Sequence, residues 1–340
     1  MTETVNEYGT AGGPGHAGEE RRYDVVVVGG GAAGLSGALT LGRARRSALV
    51  IDAGEPRNAP ADGIHNYLGR EGAPPAELLA TGREEVRRYG GEITEGRAVS
   101  AARLADGGFR VVLDDGRAVR ADRLLLATGL VDELPHVEGL ARRWGRDVLH
   151  CPYCHGWEVR DQAVGVLGTG PLAVHQALMW RQWSADVTLF LHTAPEPDDE
   201  QYERLAARGI AVVDGTVESL EVTDDRLTGV ALDGGRVVPC QALVVAAPVS
   251  ARTDLLTDLG LTKVGLEMGG VPVGDRVDAD PTQATSVPGV WVAGNVTAPT
   301  DVLIGAAAAG VRAAAAINAD LTERETVRAV AARRATADAV

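Results

Sequence analysis

Tyr23-Asp24-Val25-Val26-Val27-Val28 runs without a break into Gly29-Gly30-Gly31-Ala32-Ala33-Gly34 and then into Leu35-Ser36-Gly37-Ala38-Leu39-Thr40-Leu41. An uninterrupted apolar run has the pattern of a parallel strand buried on both faces. The glycines permit a tight turn and let backbone amides approach a pyrophosphate, which sits on the positive end of the following helix. Alone, Gly-x-Gly-x-x-Gly is a weak signal. Here Ser47-Ala48-Leu49-Val50-Ile51 adds a second strand ending at Asp52, about twenty residues on, where an acid can hold a ribose hydroxyl. These residues predict an α/β fold opening on a dinucleotide-binding unit, with Gly29, Gly31, Ala32, Ala33, Gly34 and Asp52 as candidate contacts.

The pattern then recurs. Ala163-Val164-Gly165-Val166-Leu167 leads into Gly168-Thr169-Gly170-Pro171-Leu172-Ala173, a helix through Trp183 and the strand Asp186 to Leu191. The frame is a second dinucleotide fold without its specificity residues. Its second strand ends in His192-Thr193, with no acid for a ribose diol and no arginine for a 2′-phosphate, and Glu196, Asp198, Asp199 and Glu200 follow. Nicotinamide binding there is expected to be weak or absent. Between the two units lie an amphipathic helix from Pro75 to Tyr89, a hairpin over Arg110 to Val119 turning at Asp115-Gly116, and the strand Arg123 to Leu126. The polar stretch with Arg57, Asn58, His65 and Asn66 reads either as a cofactor-lining loop or as plain surface. Near the end, Val290-Trp291-Val292-Ala293-Gly294-Asn295 is strand-then-glycine again, followed by an alanine-rich helix from Asp301 to Ala319.

Chemistry concentrates in His150-Cys151-Pro152-Tyr153-Cys154-His155-Gly156. Two thiols at this spacing close into a disulfide with little backbone movement, and each has an imidazole neighbour able to accept its proton. The same spacing supplies half of many zinc sites. Zinc would need two more ligands, and Cys240, the third and last cysteine, has no second thiol nearby in the sequence. A redox-active pair is the leading reading, and no metal is expected. Cys240, set among Val237, Val238, Leu243 and Val244, reads as a packing residue.

With 340 residues there is room for about two domains. The formal net charge of -14 argues against a nucleic-acid partner and an anionic membrane surface. No segment is apolar over a membrane-spanning length, and the acidic start, with Glu3, Glu7, Glu19 and Glu20, is not a secretory signal. A cytoplasmic location is expected, where such a cysteine pair is more often catalytic than structural.

In this order, from about Tyr23 to Leu321, the pieces resemble the thioredoxin-reductase-like branch of the FAD-dependent pyridine nucleotide-disulfide oxidoreductases. The resemblance implies two Rossmann-like three-layer domains, the FAD domain interrupted by an inserted NAD(P)H-type domain. The expected divisions are a disordered tail (1–20), FAD domain (21–133 and 254–322), inserted domain with the cysteine pair (134–253) and tail or exposed helix (323–340). It further implies that Asn66, Ala127, Thr128, Gly129, Gly294, Asn295 and Val302 fall at cofactor-contacting positions. Arg57, Asn58, His65, Val99 and Leu303 complete the candidate set. Cys154 is implied to be the cysteine beside the flavin.

Departures narrow the activity. Thioredoxin reductases carry aspartate after the second cysteine, a His-Arg-Arg signature at the NADPH site and Gly-Asp in the last FAD motif. This chain has His155, Leu191-His192-Thr193 and Gly294-Asn295. The pair flanked by His150 and His155 looks instead like that of the dithiol oxidases that close disulfides in gliotoxin and holomycin. That implies FAD, a small-molecule dithiol substrate, oxygen as acceptor and, as is common in the family, a homodimer. An NAD(P)H-dependent disulfide reductase and a flavin-binding redox sensor are the competing readings.

Overall fold

The computed structural model describes residues 20–252 and 255–337. Residues 1–19 of the tail expected over 1–20, and the division expected at 253/254, lie outside them. The fold is α/β, organised on two mainly parallel sheets.

The strand Arg22–Val28 lies at the centre of the first sheet, parallel to Ala48–Asp52 on one side and to Ala118–Leu126 on the other. Glu92–Glu95 extends the sheet beyond Ala48–Asp52, and Val290–Val292 pairs with the carboxyl half of Ala118–Leu126. The unbroken run of valines follows from burial on both faces. Val25 and Val27 pack with Val50 and Leu125 against helices Ala32–Arg43, Pro75–Arg88 and Leu303–Ala337. Val26 and Val28 pack on the opposite side with Phe109, Val111 and Leu113.

The hairpin expected at Asp115-Gly116 is present, Val111 facing Val119 and Val112 facing Ala118. Its second arm and the buried strand at Arg123 to Leu126, read separately in the sequence, form one strand, Ala118–Leu126. It changes partners along its length and so serves two layers.

In the second sheet Val164–Leu167 lies between Val187–Phe190 and Ala242–Val245, all parallel, with Ala211–Val213 and Val148–Leu149 at the edges. The helix after Gly168-Thr169-Gly170 is Ala173–Trp180, shorter than the sequence suggested, because the chain turns after Trp180. Cys240 is buried as expected, and burial pushes its thiol up to about 12. The chain leaves the first sheet through Leu130–Asp132 and returns through Val249–Ala251. These two short strands pair antiparallel, Asp132 facing Val249.

The last helix runs from Leu303 to Ala337, well past the expected end at Ala319. Its buried residues stop at Leu321, and the helix continues beyond the core as far as residue 337. Among the described residues no helix is long and apolar enough to cross a membrane.

This helix and Ala32–Arg43 approach so closely that a β-carbon at Gly310 would lie 2.0 Å from the Ala33 carbonyl oxygen. Backbone cannot yield as a flexible side chain can. The substitution Gly310→Ala is therefore expected to destabilise the fold by about 1–3 kcal/mol, seen as a lower Tm in thermal unfolding; an unchanged Tm would contradict this packing.

Candidate functional site

The strand Val148–Leu149 delivers the chain into a single helical turn, Pro152–His155, with Cys151 as its N-cap. Proline suits the first helical position, where no amide proton is needed. The Cys151 carbonyl accepts the backbone N–H groups of Cys154 (3.1 Å) and His155 (3.2 Å). This turn places the two sulfurs on one side, 2.6 Å apart.

Cys151, Cys154, His150 and His155 all line one cavity, shared with the glycine turn of the first sheet. Of the expected cofactor contacts, Gly29, Gly31, Ala32, Ala33, Asp52, Arg57, Asn58 and His65 lie in its wall, as do Ala127, Thr128, Gly129, Gly294, Asn295, Val302 and Leu303. Sequence positions more than 250 residues apart are thus brought to one concavity.

Three expected contacts do not line it. Val99 is 43% exposed, because it falls in the irregularity where the strand shifts register between Ala98 and Ser100, and it is Ala98 that faces the cavity. Gly34 lies behind the turn, where a β-carbon would come within 1.8 Å of the Gly29 carbonyl oxygen; its role is close packing. Asn66, in the left-handed region at φ 58°, donates from Nδ2 to the carbonyl of Tyr153, tying its loop to the dithiol turn. Beside it His65 Nδ1 bonds Glu71 at 2.7 Å, and His65 Nε2 lies 3.5 Å from Glu158, just past the dithiol.

Several lining residues were not foreseen. Arg83 holds the Asp52 carboxylate at 2.7 Å, while Asp52 also accepts the Gly30 and Gly54 backbone N–H groups. A signal existed, because Arg83 falls at helical spacing between buried Leu79 and Val86, a charge on an apolar stripe. Trp144 and Arg252 also line the cavity, and no sequence pattern marks them.

Electrostatics distinguishes the two thiols. The Cys154 thiol donates to the Cys151 sulfur, which, with backbone N–H groups of the turn and against the cost of burial, brings Cys151 down to about 7. The same bond and burial push Cys154 up. Burial lowers both His150 and His155, with the Arg57 charge adding to the effect at His150 and Glu158 partly opposing it at His155. Both imidazoles are therefore proton acceptors at neutral pH. Among the described residues no group of three or more His, Cys, Asp or Glu is placed to hold a metal ion.

In the second sheet the position after Val187–Phe190 is used by the fold itself. His192, at φ 45°, accepts the Val217 N–H at Nδ1 over 3.1 Å.

Because the Cys151 thiol is lowered, its thiolate is present above about pH 7 and lost below it. Limited alkylation of the reduced protein should mark Cys151 ahead of Cys154 and Cys240, with a rate falling roughly tenfold from pH 8 to pH 6. Peptide mass spectrometry reads the order; equal labelling of all three cysteines would refute it.

A thioredoxin reductase, tcpT, from Claviceps purpurea is 36% identical over 283 residues, covering 80% of this chain and 86% of its own. A second, sirT, from Leptosphaeria maculans is 31% identical over 313 residues, covering 87% and 93%. The crystal structure of HlmI superposes with a TM-score of 0.85 at 43% identity, covering 96% of this chain and 100% of that one. The sequence pattern of the pyridine nucleotide-disulphide oxidoreductases matches residues 23–314, and the protein belongs to that family, whose thioredoxin-reductase-like members use FAD.

Proposed function

We propose that the protein is an FAD-dependent dithiol oxidase that closes an intramolecular disulfide in a small molecule and delivers the electrons to oxygen. The observation carrying this reading is the dithiol itself. It sits in the wall of the dinucleotide cavity between two neutral imidazoles, whereas the second nucleotide unit ends its strand in a histidine engaged with backbone.

The residues present fit the cofactor. The Gly29–Ala33 turn lies open to the cavity at a helix start, where a pyrophosphate would be held, and Asp52 is placed for a ribose. The Thr128 hydroxyl is buried in the wall with no partner among the described residues, as expected of a group that bonds a ligand. FAD held by these residues would supply a two-electron acceptor for the reduced cysteine pair, with oxygen as the final acceptor and hydrogen peroxide as its product.

The chain's own part is thiol exchange. His150 or His155 takes the proton of one substrate thiol, and the resulting thiolate attacks the Cys151–Cys154 disulfide. One sulfur-sulfur bond breaks and a mixed disulfide forms. The second substrate thiolate then attacks that mixed disulfide, closing the product and leaving both cysteines reduced. Two electrons and two protons have moved from substrate to the cysteine pair. Burial helps by keeping both imidazoles unprotonated, so that neither needs to lose a proton before acting.

Anaerobic mixing of the yellow holoprotein with a small dithiol should bleach the flavin band, and air should restore it with one peroxide per cycle. NADPH and NADH should leave the band unchanged; rapid bleaching by either would make the protein a reductase.

The double variant H150N/H155N should slow dithiol-driven bleaching by about 100-fold while retaining FAD. In the unsubstituted protein His150 and His155, both lowered by burial, should themselves add no loss of bleaching rate as the pH falls from 8 to the ordinary imidazole range.

A further inference from the structure

Asp52 ends the strand beside the central one, and its carboxylate lies directly on the glycine turn. A β-carbon at Gly30 would come within 2.3 Å of Asp52 Oδ2 and 2.4 Å of its Cγ. Oδ1 accepts the backbone N–H groups of Gly30 at 3.3 Å and Gly54 at 3.2 Å. Both distances are at the long end for amide hydrogen bonds, so they hold the group weakly. Oδ2 accepts Arg83 Nη2 at 2.7 Å, a charge-assisted bond and the strongest of the three. The Asp52 side chain is 15% exposed and that of Arg83 28%.

Arg83 reaches this point from a helix held by the core. In Pro75–Arg88 it stands one turn after Leu79, and both residues line the cavity. Leu79 and Val86 are buried on either side of it, and a β-carbon at Gly82 would lie 3.1 Å from Leu35 of the neighbouring helix.

We propose that Arg83 is a positioning residue for FAD, which fixes the rotation of the Asp52 carboxylate toward the ribose and offsets its negative charge beside the pyrophosphate. This role rests on the cavity holding FAD and is independent of where the electrons go.

A carboxylate held only by two long bonds to one oxygen can rotate about its last bond, and a ribose hydroxyl would then meet a mobile acceptor. With Oδ2 tied to a cation on a packed helix, the rotation is stopped before the cofactor arrives, and its entropy is not lost on binding. Oδ2 keeps a second lone pair for the hydroxyl. Charge acts in the same direction. The turn that would hold a pyrophosphate is the one on which the carboxylate rests, and an unpaired carboxylate there would repel the phosphates. The nearby carboxylate of Glu55, also in the wall, is engaged by Arg97 at 2.7 Å.

The test is the dissociation constant of FAD, read from the rise of free-flavin fluorescence on dilution of the holoprotein, for R83M, R83Q, R83K, D52A and the double variant R83M/D52A. Two neutral replacements guard against one failing to fold, with Tm as the check. R83M and R83Q should weaken FAD by about tenfold. R83K should recover most of the affinity, because a single nitrogen makes the contact and one ammonium can replace it. On the D52A background R83M should change the constant by less than about twofold, since Arg83 acts through Asp52. Neutral variants that retain FAD as the unsubstituted protein does overturn the proposal. So does R83K binding no better than R83M, or a double variant in which the two losses multiply. A dithiol that fails to bleach the flavin would instead remove the oxidase reading and leave these constants as they are.

Discussion

Everything chemical in this protein depends on a contact of three residues with three, the pairing of Leu130–Asp132 with Val249–Ala251. Through these strands the second sheet is inserted between parts of the first, and they are the only two places where the chain passes between them among the described residues. The Val148–Leu149 edge strand leads into the dithiol turn, and Leu149, Cys151 and Cys154 line the same cavity as the glycine turn of the first sheet. The Arg57–Asp132 ion pair and the Asn66–Tyr153 hydrogen bond reinforce this placement from the loops. None of these contacts is strong alone; together they fix the site because each ends on an element already held by a core.

Much of this was legible in the chain. Continuous apolar runs announce strands buried on both faces, and the strand-glycine-helix order with an acid downstream leaves few folds to choose from. The dithiol could be read for the same reason, since spacing alone brings its sulfurs together. What remained hidden depends on direction. Val99 and Ala98 are neighbours in sequence, and a register shift at Val99 that no residue pattern announces decides which one faces the cavity. Gly34 belongs to the recognised motif yet supports the turn from behind, a difference of close approach that a pattern of glycines cannot express.

Arg83 and Arg57 illustrate two ways in which charge escapes a sequence reading. Arg83 was detectable in principle, as a cation on the buried stripe of a helix, and its partner Asp52 was already a candidate. Arg57 stands among the sequence candidates, but its partner Asp132 lies 75 residues away on a strand whose purpose only topology reveals. Burial then decides what the surrounding groups do. It keeps His150 and His155 neutral, and it raises the Cys240 thiol, whereas Cys151, chemically the same residue, is lowered by its bond within the turn.

The shared wall has a thermodynamic consequence. Cys151 and Cys154 are part of the surface that a bound dinucleotide would meet, and dithiol and disulfide present different shapes and charges there. Any preference of the bound cofactor for one of these forms must appear twice, as a displaced reduction potential of the cysteines and as an equal free-energy change in cofactor affinity when they are oxidised or reduced. Cofactor retention and thiol potential are thus one linked equilibrium, and a side chain that alters either will be felt in both.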